Sequence, residues 1–166
     1  MIKRLLVFSI FVLASLSQAS KIKNSVLVSV AGKAITERGL VIEAILAGAK
    51  YYNPEQGTGM NSEERDRLLQ KLVIRSMVEE ENRVLSLYKV SKAEIDNKVA
   101  DFKKVMGADR YQKFIESYEL TESDLRERLS ANVMLEKVLA SQEDLERWLK
   151  QLRSRHKVVY MKSPGS

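Results

Sequence analysis

The spacing of apolar residues changes period along the chain, and each change marks an element. Ser25 to Ala31 reads SVLVSVA, in which Val26, Val28 and Val30 alternate with Leu27, Ser29 and Ala31. A period of two predicts a short strand with one better-buried face. Gly32-Lys33 turns the chain, and Thr36, just after Ile35, stands where a helix N-cap belongs. From Glu37 to about Tyr51, helical spacing carries Leu40, Ile42, Ile45, Leu46 and Ala49 inward. Asn53 to Asn61 contains Pro54, Gly57 and Gly59 and reads as a loop.

Asn61-Ser62-Glu63-Glu64 offers the next cap, and the helix it opens is predicted to run to about Tyr88. Leu68, Leu69, Leu72, Val73, Met77, Val84, Leu85 and Tyr88 form a wide apolar stripe, which predicts packing on more than one side. Ser91-Lys92-Ala93-Glu94 is a capping box opening a helix with Ile95, Val99, Phe102 and Val105 that ends at Gly107. A short helix covers Asp109 to Tyr118. Thr121 to Asp124 caps the next, with Leu125, Leu129, Val133 and Val138. Ser141 to Asp144 caps the last, with Leu145, Trp148, Leu149 and Leu152. Lys157 to Met161 returns to strand-like spacing, and Lys162 to Ser166 is a polar tail.

The order is therefore strand, six helices, strand: a mainly α domain. A solitary strand leaves its backbone groups unpaired. The two strands are thus expected to pair with each other as a two-stranded sheet and bring the chain ends together.

The first residues set the expected address. A basic start with Lys3 and Arg4, an apolar run from Leu5 to Leu16, and the small–x–small ending Ser17-Gln18-Ala19 have the pattern of a cleavable signal peptide. The expected division is 1–19 signal peptide, 20–161 one domain, 162–166 tail. The apolar run is too short for a membrane-spanning helix, and no cysteine is present for lipid attachment at the cleavage site. Without Lys3 and Arg4 the chain carries 26 basic against 22 acidic side chains, interspersed rather than clustered. With export, that pattern argues against a nucleic-acid partner and leaves a mild preference for anionic ones.

Chemistry-bearing constellations are missing. No thiol exists, and the single histidine, His156, lies between Arg155 and Lys157 and reads as a surface residue. No nucleophile, metal or cofactor set can be assembled from these residues. Gly57-Thr58-Gly59 is too short to cradle phosphate, and Glu79-Glu80-Glu81 reads as a solvated helix face.

Val28-x-Val30-x-Gly32-x-x-Ile35-Thr36 resembles the opening of the SurA and parvulin-type chaperone family, V-x-V-N-G-x-x-I-T. Leu72 to Glu81 followed by Leu85 to Asp96 resembles that family's long helix and the capped helix after it. Leu120-Thr121-Glu122-Ser123-Asp124-Leu125-Arg126-Glu127-Arg128-Leu129 resembles its L-T-x-x-D-x-R-x-x-L segment. Leu145 to Met161 resembles its closing helix and strand. The chain departs from the pattern at Ala31 (usually Asn), at Gly39 (usually acidic), at Glu119 (usually Gly) and in the loop from Asn53 to Asn61. Only Ala140 to Asp144 stands where a prolyl isomerase domain would be inserted, so the chaperone module alone is expected and no isomerase activity.

The resemblance implies a SurA N-terminal-domain-like fold and an ATP-independent periplasmic holdase for unfolded or outer-membrane proteins. It implies no cofactor and no stable membrane insertion after signal cleavage. A homodimer formed by swapping terminal elements is compatible with it. Promiscuous binding calls for exposed Met and aromatic side chains that re-pack around different segments. Tyr51, Tyr52, Met60, Met106, Tyr111 and Tyr118 are the expected binding residues; Met77 and Phe114 are the most core-like, and Met134 is a weaker candidate. The alternatives are an assembly factor dedicated to one partner and, further off, an isomerase-related protein.

Overall fold

In the computed structural model, residues 24–48 and 60–161 are described. The chain opens with β1 (Val26–Val30), reverses, and returns as β2 (Lys33–Thr36). The reversal is a two-residue turn with positive φ at Ala31 and Gly32, the left-handed geometry that matches the twist of a hairpin. Six helices follow: α1 (Glu37–Ala47), α2 (Ser62–Leu85), α3 (Lys92–Met106), α4 (Ala108–Ser117), α5 (Glu122–Ala140) and α6 (Leu145–Arg155). β3 (Val158–Tyr160) closes the domain.

The first and last strands pair as expected: β3 runs antiparallel to β1, setting Val28 opposite Tyr160 and Val30 opposite Val158. The two-stranded sheet is corrected to three strands in the order β2-β1-β3. Lys33, expected in the turn, and Thr36, expected as the cap, bound a strand that pairs with β1 and buries Ile35. Four residues are too few for their own periodicity to show.

Local capping fixes where helices begin. Thr36 accepts a hydrogen bond from the Gly39 amide, 3.1 Å. Asn61 with Glu64, Ser91 with Glu94 and Thr121 with Asp124 each form a reciprocal capping box. Asp144 caps α6 through the Arg147 amide. α2 stops at Leu85, before the expected Tyr88, because Ser86 turns left-handed at φ 50°. The Asn82 side chain then binds both backbone groups of Tyr88, at 2.7 and 3.0 Å, and holds the departing chain. α1 ends at Ala47, with Gly48 as C-cap; the expected continuation to Tyr51 lies outside the described residues, as do the signal segment, most of the Asn53–Asn61 loop and the polar tail.

Two apolar clusters fill the interior. One joins the sheet to α2, α5 and α6 through Val28, Val30, Leu72, Met77, Leu135 and Leu152. The other joins α1, α3, α4 and α5 through Ile45, Phe102, Met106, Phe114 and Leu125. Phe114 anchors the second, with Phe102 edge-on at 5.7 Å and Tyr118 at 5.5 Å between ring centres. α5 passes through both clusters and ties them together.

Candidate peptide-binding surface

The expected binding residues divide. Met106 is fully buried and Tyr118 nearly so, both in the aromatic cluster, so neither presents a free surface. Tyr111 is half-buried, edge-on to Phe102 at 6.3 Å, with the Lys103 ammonium 5.1 Å from its ring centre. Met60 is half-buried and packs on the sheet-side core. Tyr51 and Tyr52 lie outside the described residues. Met77, Phe114 and Met134 are core.

Exposed apolar side chains stand elsewhere. Val84, Leu85 and Leu87 surround the end of α2, although periodicity turned the first two inward. Val105 is likewise exposed, and its neighbour Met106 takes the buried position. Val159, Tyr160 and Met161, at 39, 53 and 44% exposure, lie along the last strand and just after it. β3 is an edge strand: among the described residues only β1 pairs with it. Ala31 donates to the Lys157 carbonyl, 3.1 Å, and Met161 donates to the Leu27 carbonyl, 2.9 Å. In an antiparallel pair the hydrogen-bonded residues alternate. The backbone groups of residues 157, 159 and 161 therefore face β1, and those of Val158 and Tyr160 face outward.

Beside this edge lies a groove of about 430 Å³ between α2 and α5. Ile74, Leu135 and Leu139 supply its apolar surface, with Arg67, Gln70 and Lys71 among its polar residues. Gln70 joins the two features, since its amide donates to the Tyr160 hydroxyl at 3.1 Å.

A second cavity, of about 310 Å³, opens between β2, α1, α2 and α5 and is polar. Glu43, only 3% exposed, reaches it from α1. Its carboxylate accepts from Arg75 at 2.7 Å, Arg128 at 3.0 Å and Asn132 at 3.2 Å. Burial works to raise its pKa; the Arg75 charge, the hydrogen bonds from Arg75 and Asn132, and the Arg128 charge outweigh burial and hold the carboxyl below its ordinary value. The Arg75 Nε lies 3.4 Å from Glu79, within ion-pair reach but out of line for a hydrogen bond. We read the group as a clamp of three helices.

The Glu79-Glu80-Glu81 run is corrected from a solvated face to a paired one. Glu79 meets Lys33 at 2.9 Å, Glu80 meets Arg83 at 2.7 Å, and Glu81 meets Arg155 at 2.9 Å. His156 is likewise corrected. Its ring is 10% exposed and lies 3.3 Å from Glu81, because the bend between α6 and β3 folds it onto α2. Among the described residues, no group of three His, Asp or Glu side chains could hold a metal ion, and no helix is long and apolar enough to cross a membrane.

Comparisons with protein-family models, with curated proteins and with solved structures return no match.

Proposed function

We propose that this protein is an ATP-independent chaperone of the periplasm, a holdase that keeps unfolded or outer-membrane proteins from aggregating in transit. The observation that carries the reading is the open β3 edge. There, the outward backbone groups of Val158 and Tyr160 have no strand partner among the described residues, and exposed Val159, Tyr160 and Met161 stand near an apolar groove. An edge strand presents a row of N–H and C=O groups that another extended chain can pair with. A binder of unfolded chains keeps it available. The resemblance of the chain to the SurA and parvulin-type family supports the same reading, as does the signal-peptide pattern of its first residues.

The reading assigns the protein no catalytic step and no cofactor. Binding and release then rest on modest affinity and exchange. Competition tests it. Two unrelated unfolded proteins should displace one another from the purified chain beginning at Ser20. Binding of one native partner alone, with no displacement by unfolded chains, would replace the holdase with a dedicated assembly factor.

A further inference from the structure

We infer that β3 captures an extended segment of the client by main-chain pairing, and that the segments it prefers carry acidic side chains. The inference rests on the holdase reading and specifies where and how the client is held.

The main-chain part follows from the register. Val158 and Tyr160 direct their N–H and C=O groups away from β1, and only an extended backbone matches that spacing of donors and acceptors. Side chains alternate across the sheet. Tyr160 and Val158 lie on the face of Val28 and Val30, toward α2; Lys157, Val159 and Met161 lie on the other. A client segment added at this edge therefore sets every second side chain on the Tyr160 face. Gln70 there leads into the groove of Ile74, Leu135 and Leu139. Apolar residues at alternate positions, the pattern of a strand with one buried face, fit both requirements.

The charge part follows from the approach to the edge. From Arg147 to Lys157 the chain has five basic side chains and no acidic one. Arg147 is paired with Asp144 and Arg155 with Glu81. Lys150, Arg153 and Lys157 are exposed and have no ion-pair partner among the described residues. Lys157 adjoins β3 directly, and Arg153 lies in the last turn of the helix leading into it. Lys157 shares the face of Val159 and Met161, where it complements carboxylates on that side of the added strand, with Arg153 and Lys150 on the helix before it. Glu63 and Asp66 line the groove on the Tyr160 side, which leaves that side to apolar residues. Added salt weakens the attraction to carboxylates.

Fluorescence anisotropy tests the inference with labelled synthetic peptides and the chain beginning at Ser20. Three probes are compared: a peptide of alternating Val and Glu, its Val and Lys counterpart, and the Glu peptide N-methylated at alternate residues. The Glu peptide should bind at least about tenfold more tightly than either of the others, as loss of main-chain bonds or reversal of charge implies. In the protein, Tyr160→Pro removes an outward N–H and no β1–β3 hydrogen bond, and should lower affinity about tenfold, whereas Tyr160→Phe should not. Lys150, Arg153 and Lys157 replaced together by Gln should abolish the preference for Glu over Lys. Equal binding of the N-methylated and unmodified peptides overturns the edge site, and needs no protein variant. Equal binding of the Glu and Lys peptides overturns the charge preference. Suppression of client aggregation that persists in Tyr160→Pro, with indifferent N-methylation, removes the edge site and keeps the holdase. Tight, methylation-sensitive binding without any suppression keeps the edge site and removes the holdase.

Discussion

Ala31 and Glu119 hold φ at 49° and 44°, in the region where a side chain's Cβ crowds the backbone. Both stand where the resembled family places Asn or Gly, residues that tolerate this conformation. The strain was thus legible in the sequence, as two departures from a pattern. Ala31→Asn and Glu119→Gly should each stabilise the fold by about 0.5–1 kcal/mol, read as a raised urea midpoint; an unchanged midpoint would show that the strain is already relaxed. Glu43 was not legible in this way. It follows Leu40 by one helical turn, inside an apolar stripe, and such a charge signals a buried partner only once the opposing helix is known. Glu43→Gln removes the buried counter-charge shared by Arg75 and Arg128, leaves Arg75 only its longer contact with Glu79, and should cost about 3 kcal/mol in urea unfolding. Because its folded pKa is held below 4.5, the carboxylate's contribution is fully present above that pH and is lost as the pH falls toward the lowered value. Glu94 behaves alike: hydrogen bonds from Lys137 and from the backbone and hydroxyl of Ser91 lower it to about 2. The wild-type chain should therefore lose stability below about pH 4.5, and Glu43→Gln should lose less over that range.

At the scale of elements, the helices were legible because capping and amphipathic spacing are local. All six start within a residue or so of their sequence signals, and the three reciprocal capping boxes join residues only three positions apart. What the pattern could not reveal was non-local. β2 exists because a left-handed turn folds it onto β1. Val84 and Leu85 continue the stripe of α2 but stay exposed among the described residues, and a stripe does not disclose what faces it. The hairpin also changes what the closing segment does. β1 keeps β2 as a partner if residues 145–161 are removed, so the loss falls mainly on the core contacts of Leu152 and Trp148. Leu152→Ala, at a fully buried position, should cost about 2–5 kcal/mol. Deleting residues 145–161 should broaden the urea transition and expose the sheet-side core to a hydrophobic dye. A sharp transition at the wild-type midpoint would contradict the role assigned to α6 and β3.

For the whole molecule, two cores are joined by α5 and clamped by Glu43, both outer strands of the sheet lack a second strand partner among the described residues, and the β3 edge is the one where the returning chain ends its last strand. The pairing of β1 with β3 was legible from two strands that each lacked a neighbour; the exposed edge it creates was not, since it depends on β2 occupying the other side. Of the binding residues expected from Met and aromatic content, Met106 and Tyr118 were claimed by the core, because large flexible side chains fill cavities as readily as they bind clients, while Tyr51 and Tyr52 lie outside the described residues. If the folded chain holds unfolded proteins through this exposed surface, light scattering will show it. An outer-membrane protein is diluted from urea with the chain beginning at Ser20 and, separately, with its Tyr160→Pro variant. The wild-type chain should suppress aggregation without ATP, and the variant, equally stable by urea unfolding, should suppress it less. Aggregation that proceeds unchanged in the presence of excess wild-type chain would contradict the holdase reading.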